Sequence, residues 1–284
     1  MTSWTCFDVE TTDKIAHIRL KRPEVFNTMN RAFWNELPAI VNAINDEGAA
    51  RVIVISSTGK HFSAGMDLSV FTEGQGVASG HTGKREEGRA RLSLRAEALR
   101  LQKTFNVLDE ARMPVIMAIQ GGCVGGAVDM STCADMRFAT KDAFFVIQEI
   151  NLAMTADVGT FPRLCHLLPQ GIVRELAYSG RRLMAKKAQD LGFVNELFDT
   201  HEQMLAHVME LAREIASKSP LAVHGSKVMI NYARDHSIAD SLDYIATWQA
   251  GMFNPTVDMH ESFRAKQEKR DPVYEDLLPA RKAM

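Results

Sequence analysis

Apolar residues recur along the chain with two periods, and their order predicts alternating strands and helices. Residues 14–20 (KIAHIRL) read as a strand with Ile18 and Leu20 on one face. Phe33, Leu37, Ile40, Val41 and Ile44 then repeat at helical spacing, with Asn30 placed to cap the start. Residues 51–56 (RVIVIS) form a short β-branched run, as expected of a strand covered on both faces. Between 74 and 88 the chain is rich in Gly and charge with little to bury, which predicts a mobile surface loop. Leu94, Ala98, Leu101, Phe105 and Leu108 step by four and three and predict an amphipathic helix packed on the core. Residues 113–120 (MPVIMAIQ) predict a second buried strand, and 136–139 and 144–146 add further strand candidates. This alternation, lasting to about residue 198, predicts an α/β fold. From His201 only helical spacing occurs: Met204, Leu205, Val208, Leu211, Ala212 and Ile215 lead to Pro220, and 222–232 and 238–252 predict two more helices. A boundary near residue 200 divides a core carrying the active site, 1–200, from an α-helical region, 201–284.

Composition narrows the classes of function. A chain of 284 residues buries a full core, and 46% hydrophobic with 24% charged residues excludes disorder. The net charge of -2 exerts no overall pull on phosphate backbones, so no nucleic-acid partner is expected. No apolar run approaches the roughly eighteen residues of a membrane helix, so no membrane partner is expected either. Cys6, Cys123, Cys133 and Cys165 are scattered without a Cys-x-x-Cys, which predicts reduced thiols, Cys123 as a small buried hydrophobe. The first residues, MTSWTCFDVE, lack a basic apolar ramp and the last, ARKAM, match no organelle address; the expected location is cytoplasmic.

Two glycine clusters follow buried strands: HFSAGMD at 61–67 and GGCVGGAVD at 121–129. Glycine there allows sharp turns and leaves backbone N–H groups free to donate. Two such donors aimed at one point would stabilise charge on a carbonyl oxygen; the alternative is two tight turns packed on the sheet. Neither Gly-x-Gly-x-x-Gly nor a Gly-Lys-Ser/Thr loop is present, which disfavours a nucleotide cradle. Asp129, Glu149 and Asp157 interrupt apolar sequence. Acids in such settings either perform acid–base work or cap turns and meet an arginine, Arg137 and Arg163 being candidates. The nine histidines lack tight ligand spacing, so no metal is expected. HFSAG misses the Gly-x-Ser-x-Gly nucleophile elbow only at its first residue, which keeps Ser63 as a serine-hydrolase candidate. The basic residues between 85 and 100 read as a solvated helix face.

RPEVFNTMN, HFSAGMDL, PVIMAIQGGCVGGAVDMSTCADMRFAT and SKSPLA, spread over nearly the whole chain, resemble the enoyl-CoA hydratase/isomerase (crotonase) superfamily. NRAFWNEL, DAFFVIQEINLAMTADVGT and YARDHSIADSLDYIATW are most similar to its Δ3,5-Δ2,4-dienoyl-CoA isomerase subgroup. The resemblance implies a spiral of ββα units with an α-helical C-terminal region that serves assembly, as homo-trimers or as hexamers built from two trimers. It implies an acyl-CoA thioester substrate whose coenzyme A is part of the substrate, with no separate cofactor. The oxyanion hole would be the N–H groups of Met66 and Gly126, with Gly126 leaving room for the thioester. Coenzyme A would lie near Val25, Phe26, Ala64 and Asp67, mostly along backbone atoms. Asp129 and Glu149 match the two acids of the hydratases, and Asp157 matches a third acid found in the dienoyl isomerases. The implied reaction shifts a 3,5-dienoyl-CoA to the 2,4-diene, with Glu149 and Asp157 as the acid–base pair and Asp129 positioning or tuning them. Hydration of a 2-enoyl-CoA by Asp129 and Glu149 is the alternative, and a non-catalytic acyl-CoA-binding protein a further one.

Overall fold

The computed structural model describes residues 3–72, 87–253 and 256–280, so most of the loop expected at 74–88 lies outside the described residues. In order along the chain come β1 (Phe7–Thr12), β2 (Ile15–Leu20), α1 (Arg31–Glu47), β3 (Val52–Ser57), α2 (Ser69–Thr72), α3 (Glu87–Glu110), β4 (Val115–Ile119), β5 (Gly122–Val124), α4 (Gly126–Thr132), β6 (Met136–Thr140) and β7 (Phe144–Val146). A 3-10 turn (Glu149–Leu152) leads to α5 (Thr160–Leu167), α6 (Gln170–Ser179), β8 (Leu183–Met184), α7 (Ala185–Asp190) and β9 (Glu196–Phe198). Four helices follow: α8 (His201–Ala216), α9 (Pro220–Ala233), α10 (Ile238–Met252) and α11 (Asp258–Glu268).

The main sheet has the order β1-β2-β3-β4-β6-β9, antiparallel between β1 and β2 and parallel from β2 onward. Its central strands β3 and β4 are buried at every position because helices cover both faces. Ile53, Ile55, Val115, Met117 and Ile119 face the larger core, which α1 fills with Phe33, Trp34 and Leu37 and α3 with Phe105 and Leu108. Val52, Val54, Ile116 and Ala118 face the other way, against Met204, Val208 and Ala212 of α8. Helix α8 thus packs on the sheet although it begins at the expected boundary. A smaller sheet, β5-β7-β8, stands off the main one. Both glycine clusters sit where the chain passes between the two sheets.

Local rules account for most boundaries. Asn30 caps α1 by accepting from Phe33 N–H, and Gly48 closes that helix in the left-handed conformation. Ser219 and Ser237 cap α9 and α10 in the same way. The apolar stripe expected between 94 and 108 is only half used: Leu101, Phe105 and Leu108 are buried, whereas Leu94 is exposed. Helix α3 also begins at Glu87, so the last two residues assigned to the loop are helical.

One buried cation ties the C-terminal helices to the core. Lys227 of α9 donates to Leu108 O (3.0 Å), Met113 O (3.1 Å) and Asp135 Oδ2 (2.9 Å), with its side chain 5% exposed. Asp135 is exposed and also accepts from Val115 N–H, so removing the ammonium costs mainly the donors to the Leu108 and Met113 carbonyls. Lys227→Met is expected to lower unfolding stability by about 2 kcal/mol, measured by urea denaturation; an unchanged midpoint would show the tie to be dispensable.

Candidate active site

Two isolated parallel bridges frame the glycine clusters: Met29 with Met66 ties the first cluster to the segment before α1, and Ser63 with Cys123 joins the two clusters. In the first, Met29 N–H donates to Gly65 O and Asp67 N–H donates to Met29 O, so Met66 N–H faces away from Met29. Gly126 opens α4, where first-turn N–H groups lack an intrahelical acceptor. Neither the Met66 nor the Gly126 N–H has an acceptor among the described residues. The approach is close: a Cβ on Gly65 (φ +82°) would stand 2.5 Å from Val124 O and 3.3 Å from Gly126 N. Gly125 (φ +53°) turns the chain into α4, and a Cβ there would stand 3.1 Å from Glu149 Oε1. Gly126 is also close to the core. A Cβ there would meet Met29 Sδ at 3.1 Å and the Trp34 ring at 3.9 Å, so a side chain would require Met29 to shift.

The three acids occupy three environments. Asp129, on α4, is 1% exposed; its Oδ1 accepts from Thr160 N–H (2.7 Å) and Thr160 Oγ1–H (2.8 Å). Its Oδ2 is buried without a partner. Desolvation pushes its pKa up to about 6, opposed by the Thr160 hydrogen bonds and reinforced by the charge of Asp157. Glu149 opens the 3-10 turn and is half-buried, with Oε2 lacking a partner. Burial, then the charge of Asp129 and of Asp157, pushes it up to about 7. Asp157 is exposed, contrary to the apolar setting its neighbours suggested. Only Ala156 and Val158 beside it are buried, because the turn points alternate side chains inward. It lines a groove of about 720 Å³ with Gln102, Asn106, Arg163 and His166, and its carbonyl accepts from Gln102 Nε2 at 2.8 Å. Neither arginine weighed as a partner neutralises these acids: Arg137 donates to the carbonyls of Ser131, Ala134 and Phe193, and Arg163 pairs with Asp109.

Residues of both glycine clusters also line a cleft of about 430 Å³, with Phe26, His61, Ala64, Val124, Phe144 and Arg182. Val25 and Phe26 are exposed at its approach, and Phe26 holds a left-handed conformation (φ +53°) that closes a 3-10 turn. Asp67 is committed to structure. It accepts from Thr28 Oγ1–H and Ser69 N–H, and the Ser69 hydrogen bonds hold it below the usual carboxylate range. Ser63 is fully buried, donating to Asn27 O (2.8 Å) and accepting from Gly65 N–H (3.1 Å), which removes it as a nucleophile. Sequence reasoning did not find Thr160, His61, Phe144 or Arg182. His61 lay within the first glycine motif and could have been found; its Nδ1 accepts from Gly122 N–H, leaving the ring proton on Nε2. Arg182 stacks over Phe144 at 4.1 Å and carried no sequence signal. Among the described residues, no group of three His, Cys, Asp or Glu could hold a metal ion.

The raised acids set a pH dependence of stability. A carboxyl whose folded pKa exceeds its unfolded value binds more protons when folded, so its contribution is present at low pH and lost as pH rises. For Asp129 the loss runs from about pH 4 to beyond its folded value of about 6 and amounts to on the order of 3 kcal/mol. Asp129→Asn keeps the shape without the charge. The variant is expected to lose less stability than wild type between pH 5 and pH 8 in urea denaturation. Equal losses would contradict the assignment.

Comparisons with known proteins bear on the family and the fold. The enoyl-CoA hydratase/isomerase family model matches residues 10–277. A mouse protein named mitochondrial Δ3,5-Δ2,4-dienoyl-CoA isomerase is 43% identical over 258 residues, covering 90% of this chain and 77% of that protein. An Arabidopsis protein named peroxisomal Δ3,5-Δ2,4-dienoyl-CoA isomerase is 34% identical, covering 94% of this chain and 95% of that one. Among solved structures, an enoyl-CoA hydratase from Bacillus anthracis superposes with a TM-score of 0.83 at 29% identity, covering 95% of this chain and 99% of that one. The expected cytoplasmic location is overturned by these relatives, which are named mitochondrial or peroxisomal. Targeting segments are read apart from the folded body, so the residues that build the fold carry no mark of compartment. With the model matched over most of its length and the fold shared, the chain belongs to the enoyl-CoA hydratase/isomerase family.

Proposed function

We propose that the protein is an isomerase that converts a 3,5-dienoyl-CoA into the 2,4-dienoyl-CoA during fatty-acid oxidation. The observation that carries this reading is a cluster of three carboxylates beside two free backbone amides. The charge of Asp157 reaches both Asp129 and Glu149, and Glu149 lies against Gly125, next to the Gly126 amide. The relatives named as dienoyl-CoA isomerases support the same activity.

The thioester oxygen sits between the N–H groups of Met66 and Gly126, which stabilise the negative charge it gains. Glu149 takes a proton from C2, and the electron pair spreads as a dienolate over C1 to C6. Asp157 delivers a proton to C6, leaving double bonds at C2 and C4. Protons balance, one removed and one added, and no oxidant or cofactor is needed; coenzyme A is part of the substrate. Two carboxylates suit the task because C2 and C6 are four bonds apart and a single group cannot serve both ends. Crowded carboxylates cannot all ionise, so the cluster retains a proton near neutral pH. Glu149 must be ionised to take the C2 proton, and the proton returned to C6 comes from the cluster and solvent by way of the exposed Asp157. Asp129 tunes the pair.

Coenzyme A enters along the cleft that Ala64 and Phe26 line, with Val25 and Asp67 at its margins and contacts made mostly by backbone atoms. Exposed apolar residues on α10, Ile238, Leu242 and Ile245, support assembly of the chain with copies of itself as trimers or as pairs of trimers.

Hydration of a 2-enoyl-CoA is the second reading, favoured by the buried, unpartnered Asp129 Oδ2 and Glu149 Oε2, which could hold a water. It gives Asp157 no task. The test supplies 3,5-dienoyl-CoA and 2-enoyl-CoA in parallel and follows the absorbance of the conjugated 2,4-diene. The expected result is rapid diene formation that falls about 10²–10⁴-fold in Asp157→Asn with little change in KM. Turnover of Asp157→Asn at the wild-type rate, or faster loss of 2-enoyl-CoA than of the diene substrate, would overturn the reading.

A further inference from the structure

The two oxygens of Asp129 are held unequally. Oδ1 receives both donors of Thr160, at 2.7 Å and 2.8 Å, while Oδ2 is buried and receives none. We propose that Thr160 is a positioning residue of the acid cluster: its two hydrogen bonds confine any proton on Asp129 to Oδ2 and fasten the turn that carries Asp157 to helix α4. The kinetic consequence rests on the isomerase reading; the hydrogen bonds do not.

The local backbone explains why Thr160 can do this. It is the first residue of α5, so its N–H has no intrahelical acceptor. The preceding Gly159 (φ +133°) has no side chain to cap the helix, and the left-handed turn there leaves Thr160 N–H bonded to Asp129 instead. Thr160 is 1% exposed, so water does not compete for either donor. Asp157 lies three residues upstream with only Val158 and Gly159 between them, so a fixed Thr160 restricts where Asp157 stands.

Chemistry then separates the two oxygens. A proton on Oδ1 would meet two donors already pointing at it and break at least one bond. On Oδ2 it breaks none, and Oδ1 becomes a carbonyl oxygen that still accepts from Thr160. The clamp therefore holds in both protonation states, and Asp129 can gain or lose a proton without releasing the Asp157 turn. The charged and titratable groups acting on Asp129 or in its field are Glu149 from the 3-10 turn, Asp157 from the loop, Cys123 of β5 and Cys133 after α4. Both thiols are raised by burial and so are neutral. Arg163 is engaged with Asp109 and Asn106. Thr160 is thus the principal group favouring ionised Asp129.

Thr160→Val removes the hydroxyl and keeps the amide and the shape, whereas Thr160→Ser keeps both donors. Carbon-13 NMR of labelled aspartate, with the Asp129 signal identified by its loss in Asp129→Asn, reads the titration directly and without substrate. In Thr160→Val the midpoint of Asp129 is expected to rise by about one pH unit. The limb of the kcat/KM profile for 3,5-dienoyl-CoA should move with it, kcat falling about tenfold at an unchanged KM. Thr160→Ser should match wild type in every readout. Should the valine variant not fold, Thr160→Ala removes the same hydroxyl without adding bulk. A valine or alanine variant that titrates as wild type, or a serine variant shifted as far as they are, would overturn the proposal. If wild-type protein fails to isomerise the diene, the functional reading falls, and the NMR titration still decides the role of Thr160.

Discussion

A carboxylate withdrawn from water with only one oxygen satisfied governs the site. Asp129 sits in α4, where the helix dipole favours its charge by about 0.3–1 kcal/mol. Desolvation opposes that charge more strongly, and it wins: the acid is raised to about 6 despite two hydrogen bonds. The balance explains the arrangement around it. Glu149 is raised further because it feels Asp129 as well as its own burial. Asp157 stays at the surface, and its charge reaches both. Acids placed at graded depths can exchange protons near neutral pH, which three solvated carboxylates could not do.

The backbone supplies what side chains do not. Both candidate oxyanion donors are amides left over by secondary structure, one by a parallel bridge that uses its neighbours and one by a helix start. Their closeness depends on Gly65 and Gly125, whose positive φ angles and lack of Cβ let the two segments meet. The side chain of Met66 is then free to pack on the core. Preorganised dipoles of this kind need no rearrangement as charge develops.

Much of the fold was legible in the chain. Strands β2, β3 and β4 and helices α1 and α10 follow from runs of β-branched residues and from helical spacing ended by Asn, Ser and Gly. Strand β1 was not, because Phe7 is its one fully buried residue, Val9 is half-buried and the other four are exposed at the sheet edge. Helix α11 escaped for the same reason, with Ala265 alone buried. The site was half legible. The glycine motifs and the three acids could be named, but depth could not: Asp129 and Asp157 lie in similar sequence and differ wholly in exposure. Thr160 left no signal, since a threonine that clamps an acid 31 residues away looks like any helix start. Composition and chain ends were silent on compartment, where the cytoplasmic expectation failed.

The central claim is that separate carboxylates serve the two ends of the diene. Running the reaction in D2O and locating the label in the product tests it most directly. Two acids that exchange with solvent place one deuterium at C6 of the 2,4-dienoyl-CoA. Protium carried from C2 to C6 would mean that one group makes both transfers, and would contradict the account.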